Sequence, residues 1–214
     1  MRKSFFIVKL LALIILMSSC ASSYKSINPS SLYYNAHELK DGIGLSYKYD
    51  VLRENGNKKY AKKEFKKNIK IVALKVTNNT NSSIVIGQNA MIYVDEYPII
   101  PMSTQEIKME IGQSTPLYLL YLLLIPLKLY IKNGNSFDSP TETYPIGYLL
   151  GPGLAIGNIG VASASNASFK RELDFNNLVG REIKVGESVY GLIGIRDFSY
   201  NQISIRLNNW FILH

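Results

Sequence analysis

Along much of the chain, apolar residues return at every second position. Residues 43–51 alternate apolar and polar, the period of a strand with one buried face. Glu54-Asn55-Gly56-Asn57 breaks the run with turn residues. Residues 69–76 are β-branched and mostly alternating, and a polar turn at 78–83 separates them from Ile84-Val85-Ile86. Residues 90–94 and 97–100 read as two short strands around Asp95-Glu96. The last part returns to the same style. Residues 183–185 lead into Gly186-Glu187-Ser188, 189–195 read as a buried strand with two glycines, and 203–207 alternate cleanly. Short strands with frequent turns predict a mainly β fold, an antiparallel β-sandwich.

The middle of the chain breaks this pattern. Residues 116–131 carry one charge, Lys128, and 144–168 carry none. The second stretch holds Gly147, Gly151, Gly153, Gly157 and Gly160. With the polar residues 132–143 between them, the two stretches predict an apolar helical hairpin inserted in the β fold. The second helix is expected to start near Pro152 or Gly153, with proline in its first turn, and to run to about Leu173. Lys170 and Arg171 then sit favourably at its C-terminal end. The 153/157 glycine spacing fits small-xxx-small helix packing. Three readings of the hairpin compete: packing against the sandwich, a dip into a membrane, or contact with another subunit or protein. The side chains expected at a membrane or partner contact are Leu119, Leu120, Leu123, Leu124, Leu154 and Ile156. About 15 apolar residues at ~1.5 Å each give roughly 22 Å, short of a ~30 Å hydrocarbon core, so a complete span is disfavoured.

The N-terminus carries an address. Arg2, Lys3 and Lys9 are its only charges, and apolar residues 5–8 and 10–16 follow the pattern of a secretory leader. The leader ends in Met17-Ser18-Ser19-Cys20. On these residues the chain resembles the bacterial lipoprotein family, including envelope lipoproteins of the Bacteroidota type, over its first twenty or so positions. The resemblance implies cleavage before Cys20 and a lipid on its thiol. Met17 departs from the Leu, Val or Ile usual there. Cys20 is the chain's only cysteine, which excludes an internal disulfide and fits lipidation. Residues 21–25 contain no acid. By the same resemblance, this implies delivery to the outer membrane with the protein facing the periplasm. The strand types also look like immunoglobulin-like sandwiches of exported bacterial proteins, without a diagnostic Cys-Trp-Cys core.

Removing a 19-residue leader from 214 residues leaves 195, enough for one domain with a proper core. The expected organisation is a leader (1–19), a lipidated tether rich in Ser, Asn and Tyr (20–36), the first part of the sandwich (37–112), the hairpin (113–173) and the completing strands (174–214). The formal charge is +8, three of it in the leader. Much of the remaining excess lies in Lys58, Lys59, Lys62, Lys63, Lys66 and Lys67, against Glu64 alone between them. These six lysines read as a solvated loop and strand face or as a contact for anionic headgroups or glycans. An exported lipoprotein does not meet nucleic acid, so that partner is excluded despite the basic charge.

Candidate chemistry is sparse. The chain has two histidines, His37 and His214, which speaks against a histidine triad or a two-histidine metal site. Gly151-Pro152-Gly153-Leu154-Ala155-Ile156-Gly157 superficially matches a dinucleotide-binding loop but lacks the βαβ surroundings that loop requires. No cofactor, metal or catalytic residue is expected. The sequence therefore predicts a non-enzymatic, membrane-anchored envelope protein with a structural or interaction role. Its partners are the membrane through the N-terminal lipid and, through the apolar hairpin, another envelope protein or a second copy. The alternatives are a lipid- or glycan-binding module and, less favoured, a hydrolase whose acids meet only in three dimensions.

Overall fold

The computed structural model describes residues 20–132, 141–197 and 199–208. The chain divides into two compact units. One, the apolar unit, holds residues 20–23 and Gln113–Ser165; the other, the sheet unit, holds Tyr24–Gly112 and the chain from Asn166 onward. The leader lies outside the described residues.

In chain order the described elements are β1 (Ala36–Lys40), β2 (Ile43–Lys48), α1 (Val51–Glu54), α2 (Lys58–Lys67), β3 (Ile69–Asn78), β4 (Ile84–Val85), β5 (Ala90–Val94), β6 (Tyr97–Ile99) and α3 (Thr104–Ile111). A 3₁₀ run (Thr115–Leu124), β7 (Leu129–Lys132), β8 (Thr141–Tyr144), α4 (Gly147–Phe175), β9 (Glu182–Ile183), β10 (Ser188–Arg196) and β11 (Ile203–Leu207) follow. The fold is a mixture of helix and antiparallel strand rather than mainly β.

The sheet unit is built on the four-stranded antiparallel order β1-β2-β3-β10. Asp41 and Gly42, both at positive φ, turn β1 into β2. The central strand β3 is buried on both sides. Val72, Leu74 and Val76 enter a core shared with Ile92 of β5 and Ile203 and Ile205 of β11. Those residues belong to a second antiparallel sheet, β11-β5-β6. Ile69, Ile71 and Ala73 point the other way, into a core with Tyr60 of α2, Ile107 and Ile111 of α3, and Phe169 and Leu173 of α4. Alternate residues of 69–76 thus enter two different cores, so the strand is apolar on both sides apart from Lys70 and Lys75. On β10, a Cβ at Gly194 would lie 2.4 Å from Ile107 Cδ1, so the missing side chain admits α3 onto the sheet.

Two expectations are corrected here. Residues 24–34 are not a loose tether: Ile27 and Tyr34 are buried in the helix-side core. The carboxylate of Glu172 accepts hydrogen bonds from Tyr24 Oη (2.5 Å), Ile27 N (2.9 Å) and Ser26 Oγ. Asn57 holds Lys25 through both its backbone groups at 2.8 Å. The lysine-rich stretch, in turn, is the helix α2, closed by Asn68 in the left-handed conformation that ends many helices.

Candidate functional site

The apolar unit is the part of the molecule whose chemistry departs most from an ordinary surface. Its first element is not the expected α-helix. Pro116 near the start and bulky residues throughout give a ten-residue 3₁₀ run, TPLYLLYLLL. Three residues per turn align positions i, i+3 and i+6 on one edge. Tyr118, Tyr121 and Leu124 occupy that edge, and they are the residues that pack inward. The two tyrosine rings are parallel within 2°, their centroids 6.5 Å apart. The other two edges carry leucines to solvent. A short antiparallel ribbon, β7-β8, follows; of the polar residues 132–143, those at 133–140 are outside the described ones.

The ribbon leads into α4, which starts at Gly147, earlier than expected, and contains Pro152 within its length. Residues 147–165 of this helix belong to the apolar unit and 166–175 to the sheet unit. Its buried positions in the apolar unit are Gly147, Gly151, Ala155, Asn158, Ala162 and Ser165, a helical stripe of mostly small residues. A Cβ at Gly147 would lie 2.1 Å from Leu124 O, and one at Gly151 would lie 3.1 Å from Tyr121 O. The glycines that permit close packing are therefore 147 and 151. Gly153, Gly157 and Gly160 have nothing within 4 Å of a Cβ, so the expected 153/157 packing pair does not form.

Cys20 joins this unit directly. Its Sγ is 3.8 Å from Tyr121 Oη. The next two residues are clamped: Ala21 N donates to Asn158 Oδ1 (2.5 Å), and Ser22 N donates to Gln113 Oε1 (3.0 Å). Gln113 Nε2 and Ser165 Oγ both donate to the Ser22 carbonyl, at 2.6 and 3.0 Å. Sequence reasoning missed this clamp because its members are ordinary amides and hydroxyls far apart in the chain.

Of the six side chains expected at a membrane or partner contact, Leu119, Leu120, Leu123 and Ile156 are exposed, the last two by 74% and 71%. Leu124 and Leu154 pack against the unit's small core instead. Sequence reasoning passed over Tyr148 and Leu149, exposed by 71% and 80%, and the ribbon side chains Leu129, Tyr130 and Ile131. No described helix is long and apolar enough to cross a membrane.

The other candidates resolve into ordinary structure. On α2, Lys58, Lys62 and Lys66 fall on one exposed stripe four residues apart. Lys63 donates to the Gly112 carbonyl, Lys67 pairs with Glu110 at 3.2 Å, and Lys59 is half-buried. Three cavities are described in the sheet unit, and none of these lysines lines them. The largest, about 640 Å³, contains Glu172, already engaged by three donors. Another contains Asp50 and Glu54, which pair with Arg53 (3.8 Å) and Lys48 (2.7 Å). Glu64 is buried, and burial lifts its carboxyl to about 7. The Gly151–Gly157 motif lies wholly inside α4, so helical residues rather than a strand run directly into it and it does not form a helix N-terminus. His37 sits on β1 with Nδ1 2.8 Å from Ser46 Oγ. His214 lies outside the described residues. Among the described residues, no three His, Cys, Asp or Glu side chains converge as a metal site. The chain matches no protein-family model, no curated protein and no solved structure.

Proposed function

We propose that this chain is a lipid-anchored envelope lipoprotein with a non-enzymatic structural or interaction role, held at the outer membrane and facing the periplasm. The observation that carries the reading is the position of Cys20. It is the sole cysteine, it ends a basic-then-apolar leader, and the residues after it are clamped into a unit almost free of charge. A diacylglycerol on that thiol would supply stable attachment, since each buried methylene contributes about 0.8 kcal/mol. The immunoglobulin-like sandwich belongs to the same reading. It is supported by the core that β2, β3 and β10 share with β5 and β11.

Intact mass of the membrane-extracted protein tests the anchor. The expected wild-type chain begins at Cys20 and carries added acyl mass, and Cys20→Ala removes that mass. An uncleaved, unmodified wild-type chain would overturn the proposal.

A further inference from the structure

We propose that the exposed apolar side chains of the apolar unit enter the headgroup–acyl boundary of the bilayer to which Cys20 attaches the chain, as a second, non-covalent membrane contact. The inference rests on Cys20 as the point where the chain meets the membrane. Its occupant is fixed by where the undescribed chain ends. The leader stops at Cys20, and Cys20 is not at the end of a free segment. Its neighbours are bonded to Asn158, Gln113 and Ser165, and its sulfur lies against Tyr121. Whether the membrane is reached by acyl chains or by an uncleaved leader, hydrocarbon begins at this unit.

The surface presented there suits lipid better than protein. Leu119, Leu120, Leu123, Tyr148, Leu149 and Ile156 are all exposed, and no charged residue lies in 115–127 or 144–168. A protein–protein patch of this kind has an apolar centre and a polar rim. Here the first charge after the 3₁₀ run is Lys128, just before the ribbon, and the ribbon strands themselves carry Lys132 and Glu142. The ribbon's own Tyr130 and Tyr144 are the residue type enriched at membrane–water boundaries. Both faces of this two-stranded ribbon are exposed, and an isolated pair of strands is marginal in water, so the ribbon gains from a covering medium. No described helix is both long and apolar enough to cross a membrane, and the proposed contact is with one leaflet.

The test uses the full chain in its own membranes. Lipidation masks Cys20, so single cysteines introduced at Leu120, Leu149 and Ile156 report alone; Tyr97→Cys and Phe175→Cys, exposed on the sheet unit, serve as controls. A membrane-impermeant maleimide is expected to label the controls freely. It should label the three reporters severalfold more slowly until detergent is added. After reconstitution into phosphatidylethanolamine–phosphatidylglycerol vesicles, an environment-sensitive dye on each reporter should shift to the blue and be quenched by nitroxide-bearing phospholipid. Labelling at the control rate would overturn the inference, as would protection without nitroxide quenching, which marks a second copy or another protein as the occupant. The arms separate from the anchor reading. If Cys20 itself labels in detergent, lipidation has failed, yet the three reporters still show whether this face is in lipid.

Discussion

At the residue scale, Glu64 is the most unusual ionisable group. It sits on α2 with only 4% of its surface exposed, and Oε1 accepts the Ile71 amide at 2.6 Å. Burial raises its carboxyl from 4.5 to about 7, against the opposing pull of that amide and of Lys70. Below the unfolded value, both states hold the proton and the fold has its full stability. As pH rises toward 7, the unfolded chain ionises first, and stability is lost through that window and stays low above it. A shift of this size corresponds to about 3 kcal/mol. Glu64→Gln keeps the carbonyl acceptor and removes the charge. We expect denaturant titrations at pH 5 and pH 8 to differ by about that amount in the wild type and hardly at all in the variant. An unchanged slope in Glu64→Gln would show that another group drives the pH dependence.

At the element scale, what was legible depended on how many residues an element buries. The strands showed themselves because β3, β10 and β11 are lined by core residues and keep their period. Helix α2 did not, because six of its ten residues are lysine and it buries only Tyr60, Ala61 and Glu64. The 3₁₀ run was mistaken for an α-helix because a nearly all-leucine stretch has no period to read. Its one signal was Tyr118 and Tyr121 three apart, ending at Leu124. The glycines of α4 looked alike in sequence and differ only in what faces them. Gly147→Ala would drive a methyl into the Leu124 carbonyl and should cost several kcal/mol, a penalty typical of overpacking. Gly153→Ala meets open space inside a helix and should gain about 0.5–1 kcal/mol. Thermal melts of the two variants check this, and equal effects would refute the packing assigned to Gly147. The site itself was half legible. The exposure of Leu119, Leu120, Leu123 and Ile156 was legible in their uncharged segments, while the clamp on residues 21–22 depends on contacts that no local pattern encodes.

At the scale of the whole molecule, the two units keep separate cores. No residue of 116–164 appears in either core of the sheet unit. Replacing 116–164 with a short loop should therefore leave that unit folding cooperatively, with its far-ultraviolet dichroism lower by the lost helix. Pull-down of envelope partners from the same variant separates the roles of the units: partners that vanish were held by the apolar unit, and partners that persist bind the sheet unit. A replaced chain that fails to fold would show that the cores depend on each other.

The clamp around residues 20–27 also bears on timing. Ala21 meets Asn158 across 137 positions, and Tyr24 meets Glu172 across 148. Contacts of such long range form late, because the loop must close before they repay its entropy. As the chain emerges in order from its N-terminus, its first residues have nothing to dock on, since Asn158 and Glu172 have yet to arrive. On the proposed lipoprotein reading, this delay would leave Cys20 open to cleavage and acylation before it packs. Only a nearly complete polypeptide can fold its beginning away, so on the same reading modification would precede burial by the order in which the residues emerge.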